Sequence, residues 1–174
     1  MAEPLRFPDK YFELFPQAHR LPTEALMNML HVTRLVTDTY ERIARSEGLS
    51  ISGAETLRLL ALAQGPLTPA ELASSEFLST ATMTTVLATL ERRGLVERSP
   101  HPTDKRKVLM SSTPAATEVL SRIMDRYLKF GHQLMETLSE RDLTKLQQLT
   151  VRLLAAVKFE DYVDSTSNGE QLPA

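Results

Sequence analysis

One block of this 174-residue chain limits its fold more than any other: LSTATMTTVLATLERRGLVERSPHPTDKRKVLMSST, residues 78–113. Ser79 is placed to cap a helix, and Met83, Val86, Leu87 and Leu90 then recur at helical spacing until Gly94. Leu95–Ser99 and Val108–Ser112 read as strands. The SPHPTDKRK between them cannot be helical at its prolines, so it forms a hairpin with a long basic tip. Just upstream, Thr68-Pro69-Ala70-Glu71 combines an N-cap, a proline at the first helical position and a glutamate that closes a capping box. That helix is short, to about Ser75, and some three residues separate it from the next. Two short helices followed by a hairpin make the layout of a winged helix-turn-helix.

The surface of such a unit must suit a DNA groove. With Met83, Val86, Leu87 and Leu90 turned inward, the outward face holds Ala81, Thr85, Ala88 and Arg92, flanked by Thr82, Thr84 and Thr89. Small side chains let a helix approach the groove floor closely, and Thr and Ala methyls suit the thymine methyl. Ser79 and Thr80 at the helix start are placed to meet a phosphate. In the hairpin, Lys105, Arg106 and Lys107 sit together, an arrangement suited to a narrow A·T minor groove. Asp104 would repel phosphate if unpaired, so it is expected to hold a nearby arginine, Arg98 or Arg106. A solvated basic loop and a Thr-rich strand are the plainer alternatives for these segments.

Charge supports a local footprint. The chain carries net −2, yet Arg92–Lys107 holds six basic and two acidic residues, which leaves −6 for the remainder. A basic patch confined to one face is what a DNA reader needs. There is no cysteine, which excludes disulfides, thiol redox sensing and thiolate metal sites. His19, His31, His101 and His132 are dispersed without metal-ligand spacing. No catalytic constellation, phosphate loop or cofactor turn appears, so no enzyme activity, metal or cofactor is expected. Neither a signal peptide nor a membrane span is read, which fits a cytoplasmic protein.

The rest reads as helix, giving a mainly α fold with a small β-hairpin wing. Pro4, Pro8, Pro16 and Pro22 punctuate the start, and Tyr11, Phe12, Leu14 and Phe15 lie among them: residues 1–21 form an arm that packs on the body. A long helix is expected over about 22–46, ended by Gly48. Ser52 and Glu55 are expected to form a capping box opening a helix to about Leu62. Helices over about 114–138 and 139–163 follow, the last carrying Leu143, Leu146, Leu149, Leu153, Leu154 and Val157. A polar tail, 164–174, ends the chain. Residues 22–163 are thus one domain, with the winged helix at about 52–113.

This order and its motifs resemble the MarR family of bacterial transcription regulators. The resemblance covers roughly Thr23 to Phe159. It rests on Ala70-Glu71-Leu72-Ala73, Leu78-Ser79, the run from Leu90 to Arg98, Pro102-Thr103-Asp104-Lys105-Arg106, and Thr113-Pro114-Ala115. It implies a homodimer whose first and last two helices form a dimerisation platform, each subunit presenting one winged helix to a pseudo-palindromic operator on double-stranded DNA. By the family pattern Arg106 enters the minor groove and Asp104 braces the wing. It also implies a repressor released by a small, often aromatic or phenolic, ligand. Tyr11, Phe12, Phe15, Arg34 and Tyr40 are the candidate pocket for an aromatic acid, although core packing and a surface ion pair explain the same residues. Three positions depart from the pattern: Lys105 where arginine is common, Thr85 where a basic residue is common, and Phe77 in a turn where glycine is frequent, placed either to alter the turn or to plug the core. A winged-helix module that binds protein instead of DNA is the second reading.

Overall fold

The structure, a computed structural model, describes residues 5–76 and 78–156. Phe77, residues 157–163 that were expected to complete the last helix, and the 164–174 tail lie outside the described residues. The elements run α1 (Asp9–Leu14), α2 (Arg20–Ser46), α3 (Ile51–Leu62), α4 (Pro69–Ser75), α5 (Thr80–Arg92), β1 (Val96–Pro100), β2 (Val108–Ser112), α6 (Pro114–Met135) and α7 (Glu140–Ala156). The chain divides into two compact units, one up to Tyr127 and one from Leu128.

Two helices of the first unit end by the same device. Gly48 (φ 71°) and Gly94 (φ 68°) take the left-handed conformation after α2 and α5. Each donates its N–H three residues back, to Arg45 and Glu91, and the following leucine donates five back, Leu49 to Ala44 and Leu95 to Leu90. This is the Schellman pattern, and it drives Leu49 and Leu95 into the core, where both are buried.

The first Schellman turn also corrects the start of α3. Because Leu49 is drawn inward, the extended residue that follows it is Ser50, whose Oγ accepts from Gly53 N at 3.1 Å. Ser52, expected to be the cap, is the second residue of the helix and gives its carbonyl to Thr56 Oγ1, while Glu55 pairs with Arg58. Glu41 on α2 adds a second cap: its Oε2 accepts the Ile51 N–H at 2.8 Å. That bond, with help from Arg45 and against some burial, holds the Glu41 carboxyl below its ordinary range.

The expected capping box on α4 forms in both directions. Thr68 N donates to Glu71 Oε2 (2.7 Å) and Glu71 N donates to Thr68 Oγ1 (3.3 Å). The wing is antiparallel, with Val96 opposite Ser112 and Pro100 opposite Val108. Strand β1 starts one residue later than expected because Leu95 belongs to the helix end. Pro100 is tolerated at the strand terminus, where its missing donor costs least. No sequence signal marked a third partner: Leu67 exchanges both backbone hydrogen bonds with Met110. The core of this unit gathers Leu57, Leu72, Met83, Leu87, Met110 and Ile123, all fully buried.

The amino-terminal segment docks on the start of α2. Leu5 N donates to Asn28 Oδ1, Phe7 N to Glu24 Oε1, and Arg20 bonds Phe7 O and Asp9. Pro22 falls within the first turn of α2, where its lack of an N–H is harmless. The second unit comprises the end of α6 and α7, which Ser139 caps by accepting from Asp142 N at 3.2 Å. None of α7's described residues is buried. No described helix is long and apolar enough to cross a membrane.

Candidate nucleic-acid interface

Helix α5 exists because Ser79 caps it and three buried side chains anchor it. Met83, Leu87 and Leu90 are fully buried, whereas Ala81, Thr82, Thr84, Thr85, Ala88 and Arg92 are exposed. The outward face is therefore the one expected from helical spacing. At its start, Ser79 Oγ accepts from Thr82 N (3.1 Å) and bonds the Thr82 hydroxyl (2.8 Å). The N–H groups of Thr80 and Ala81 have no intrahelical partner, which suits them to an outside anion.

The threonine hydroxyls have a narrower role than the sequence alone suggests. Thr84 donates to Thr80 O, Thr85 to Ala81 O and Thr89 to Thr85 O. Each has used its single proton within the helix, so outward it offers a methyl and oxygen lone pairs. Such a surface contacts thymine methyls or accepts from adenine or cytosine amino groups. It does not donate to phosphate.

In the wing, His101, Asp104 and the backbone build the tip. His101 Nδ1 faces the N–H groups of Thr103 (3.3 Å) and Asp104 (3.2 Å) and accepts from both. Asp104 Oδ1 accepts from Arg106 N at 3.0 Å, and Lys107 N donates to Asp104 O. Asp104 thus braces the wing through the backbone of Arg106 and not by gripping a guanidinium. The expected partner Arg98 instead pairs with Glu91 on α5, at 3.2 Å. Lys107 lies 4.0 Å from Asp104. Among the described residues, no hydrogen bond or ion pair engages the side chains of Arg92, Lys105 or Arg106.

The basic count is accordingly divided. Arg93 is turned away to α2, where its guanidinium donates to Gly48 O (2.6 Å) and Glu47 O (2.8 Å). With Arg98 also paired, the uncommitted positive charge of the footprint is Arg92, Lys105, Arg106 and, loosely, Lys107.

The five candidate pocket residues lie in three places within a protomer. Tyr11, Phe12 and Phe15 cluster with Phe7, and Arg20 lies 4.3 Å over the Phe12 ring. Tyr40 stacks on Tyr127 at 4.2 Å. It sits about 18 Å along α2 from the arm's contact at Asn28, at 1.5 Å per residue. Burial pushes the Tyr127 phenol up to about 12, with Glu55, Glu41 and Tyr40 adding, so it stays protonated and donates to Tyr40 O. Arg34 is exposed and lies 4.0 Å from Asp38.

Behind the helix-turn-helix elbow, the buried Thr56 hydroxyl faces Glu76 Oε1 at 2.9 Å and Ser52 O at 2.8 Å. Burial raises the Glu76 carboxyl above its ordinary 4.5; Glu55 adds, while Thr56 and Arg58 oppose. A raised folded-state value means that ionisation works against folding. Stability is then greatest below about 4.5, declines as pH rises through the folded-state value, and is flat above it. Glu76→Gln is expected to raise the neutral-pH thermal midpoint and flatten that decline, since its amide can donate to Thr56. An unchanged pH profile in thermal melts would contradict this.

Comparison with known proteins agrees with this geometry. The MarR family model matches residues 49–108, from the end of the first Schellman turn to the start of β2. An uncharacterized HTH-type transcriptional regulator of Mycobacterium bovis is 34% identical over 102 residues, 58% of this chain and 71% of that protein. A Mycobacterium tuberculosis HTH-type transcriptional regulator matches to the same extent. Among solved structures, AbsC, a MarR family transcriptional regulator from Streptomyces coelicolor, superposes with a TM-score of 0.71 at 22% identity, over 76% of this chain and 90% of AbsC. The Staphylococcus aureus MepR–DNA complex superposes at 0.66 and 19% identity, over 73% of this chain and 96% of MepR. The family match, together with mycobacterial relatives 34% identical over 71% of their length, shows that this chain belongs to the MarR family of winged-helix transcriptional regulators.

Proposed function

We propose that the protein is a homodimeric repressor that binds a pseudo-palindromic operator and leaves it when a small ligand binds. The observation that carries the DNA reading is the set of uncommitted cations, Arg92, Lys105 and Arg106, framing the methyl-rich face of α5. In this reading Ser79 and Thr80 meet an edge phosphate, while Ala81, Thr82, Thr84, Thr85 and Ala88 face the major groove. Arg106 enters the minor groove, with Lys105 and Lys107 on the backbone. Asp104 holds the tip in shape, and Arg98 steadies β1 on α5. Residues 22–163 act as one domain between arm and tail, working in the bacterial cytoplasm.

The dimer reading is supported by α2. Leu21, Leu26, Leu30, Val32 and Leu35 are each half or more exposed. Leu21 and Leu30 point in opposite directions, nine residues at about 100° each giving about 180°. A helix apolar on opposite sides is built to be surrounded. The second unit also leaves Leu128, Val151, Leu153 and Leu154 half or more exposed. A second copy supplies matching surfaces for both units.

The arm's aromatic cluster with Arg20 above it suits an aromatic acid, and Phe7 and Arg20 join Tyr11, Phe12 and Phe15 in that role. Arg34 and Tyr40 belong to the same pocket only if a second protomer closes it.

Selection of duplexes from a randomised pool tests the DNA reading. A/T-leaning half-sites are expected, with centres about one helical turn, roughly 34–36 Å, apart. Failure to enrich any sequence would favour a protein-binding wing instead.

A further inference from the structure

Arg93 is a basic residue of the reading helix that does not face the groove. It stands at the C-cap of α5, and its guanidinium forks onto two consecutive carbonyls at the end of α2, those of Glu47 and Gly48. The fit is close: a Cβ on Gly48 would lie 3.3 Å from both terminal guanidinium nitrogens. Two further arginines, both on α6, hold the same turn of α2. Arg122 pairs with the Glu47 carboxylate at 3.0 Å, and Arg126 bonds Ser46 Oγ. Three cations therefore converge on Ser46, Glu47 and Gly48, where the helix dipole is negative and carbonyls lack intrahelical partners.

The consequence is mechanical. Helix α5 reads the groove, whereas α2 carries the apolar faces assigned above to the second copy. The Arg93 fork is a direct polar link between the far end of the reading helix and the helix that sets the spacing of two protomers. We infer that Arg93 is a positioning residue that fixes α5 relative to α2, and through that bond sets which half-site spacing the dimer accepts. A planar guanidinium can serve both carbonyls at once; an ammonium cannot do so in one fixed geometry. The inference rests on the dimeric DNA-binding reading above.

The test uses the duplex that the full-length wild type selects from a randomised pool, together with the same duplex lengthened or shortened by one base pair at its centre. Arg93→Ala and Arg93→Lys are compared with wild type and with Arg92→Ala, in dimeric preparations that melt cooperatively. For the Arg93 variants, discrimination between the selected and altered spacings is expected to fall several-fold, with the salt slope of binding unchanged. Arg92→Ala should keep the spacing preference and reduce the slope by about one. Arg93 variants with wild-type spacing discrimination would overturn the inference and leave Arg93 as a simple helix tie. A slope reduced by about one in those variants would also overturn it, by making Arg93 a phosphate contact. If Arg93→Ala does not fold, Arg93→Lys, which keeps the stem and the charge, decides alone. A wild type that selects no duplex would instead refute the DNA-binding reading.

Discussion

Replacing Arg106 with alanine should weaken binding to the selected operator by on the order of 10- to 100-fold, the 1–3 kcal/mol of a lost groove-reading arginine. The size follows from the wing's construction. Asp104 bonds the Arg106 backbone, and His101 bonds the turn before it, so the tip is set before DNA arrives. A preformed tip loses little freedom on binding, which leaves more of the contact energy as affinity. The side chain has no protein partner among the described residues, so its removal should leave the thermal midpoint within the small range of a surface substitution. Gel shifts at fixed salt measure the loss, and a melt of the same preparation separates it from unfolding. Unchanged affinity would show that the wing does not touch DNA.

A charge in the middle of α2 should be the most damaging surface change. Leu30 is 50% exposed in a single protomer, on a helix with apolar side chains on opposite sides. If a second copy covers it, Leu30→Glu forces a carboxylate out of water twice per dimer, at an effective cost of about several kcal/mol per ion. The dimer dissociation constant is expected to rise by on the order of 10,000-fold, while Leu30→Met, near in volume, should change little. Sedimentation velocity across a dilution series reads both. A Leu30→Glu protein that stays dimeric would place the interface elsewhere.

What the sequence disclosed follows from the range of the forces involved. Local devices were legible. Thr68 to Glu71 spans one turn and forms its capping box as spaced. Gly94 followed by Leu95 ends α5, and the spacing of Met83, Leu87 and Leu90 identifies its buried face. Contacts that depend on the tertiary arrangement were not legible. Arg93 reaches 45 residues back to Gly48, Met110 pairs with Leu67, and Arg98 chooses Glu91 over Asp104. Each choice depends on where the fold brings backbones together, so a charge count over residues 92–107 overstates the cations free for DNA. Ser52 misled for a related reason: its spacing to Glu55 is that of a capping box, yet the buried Leu49 fixes Ser50 as the extended residue. His101 carries a wing-tip bond that its spacing from other histidines could not reveal, because the acceptor's partners are backbone groups.

The salt dependence of wild-type binding to the selected duplex reads out the phosphate contacts of α5 and the wing. Arg92, Lys105 and Lys107 on the phosphates of each half-site, in a dimer, give six phosphate neutralisations and a slope of log affinity against log salt of about −5 at roughly −0.9 each. A straight line near that value is the predicted result. Absence of binding, or binding indifferent to salt, would contradict the account.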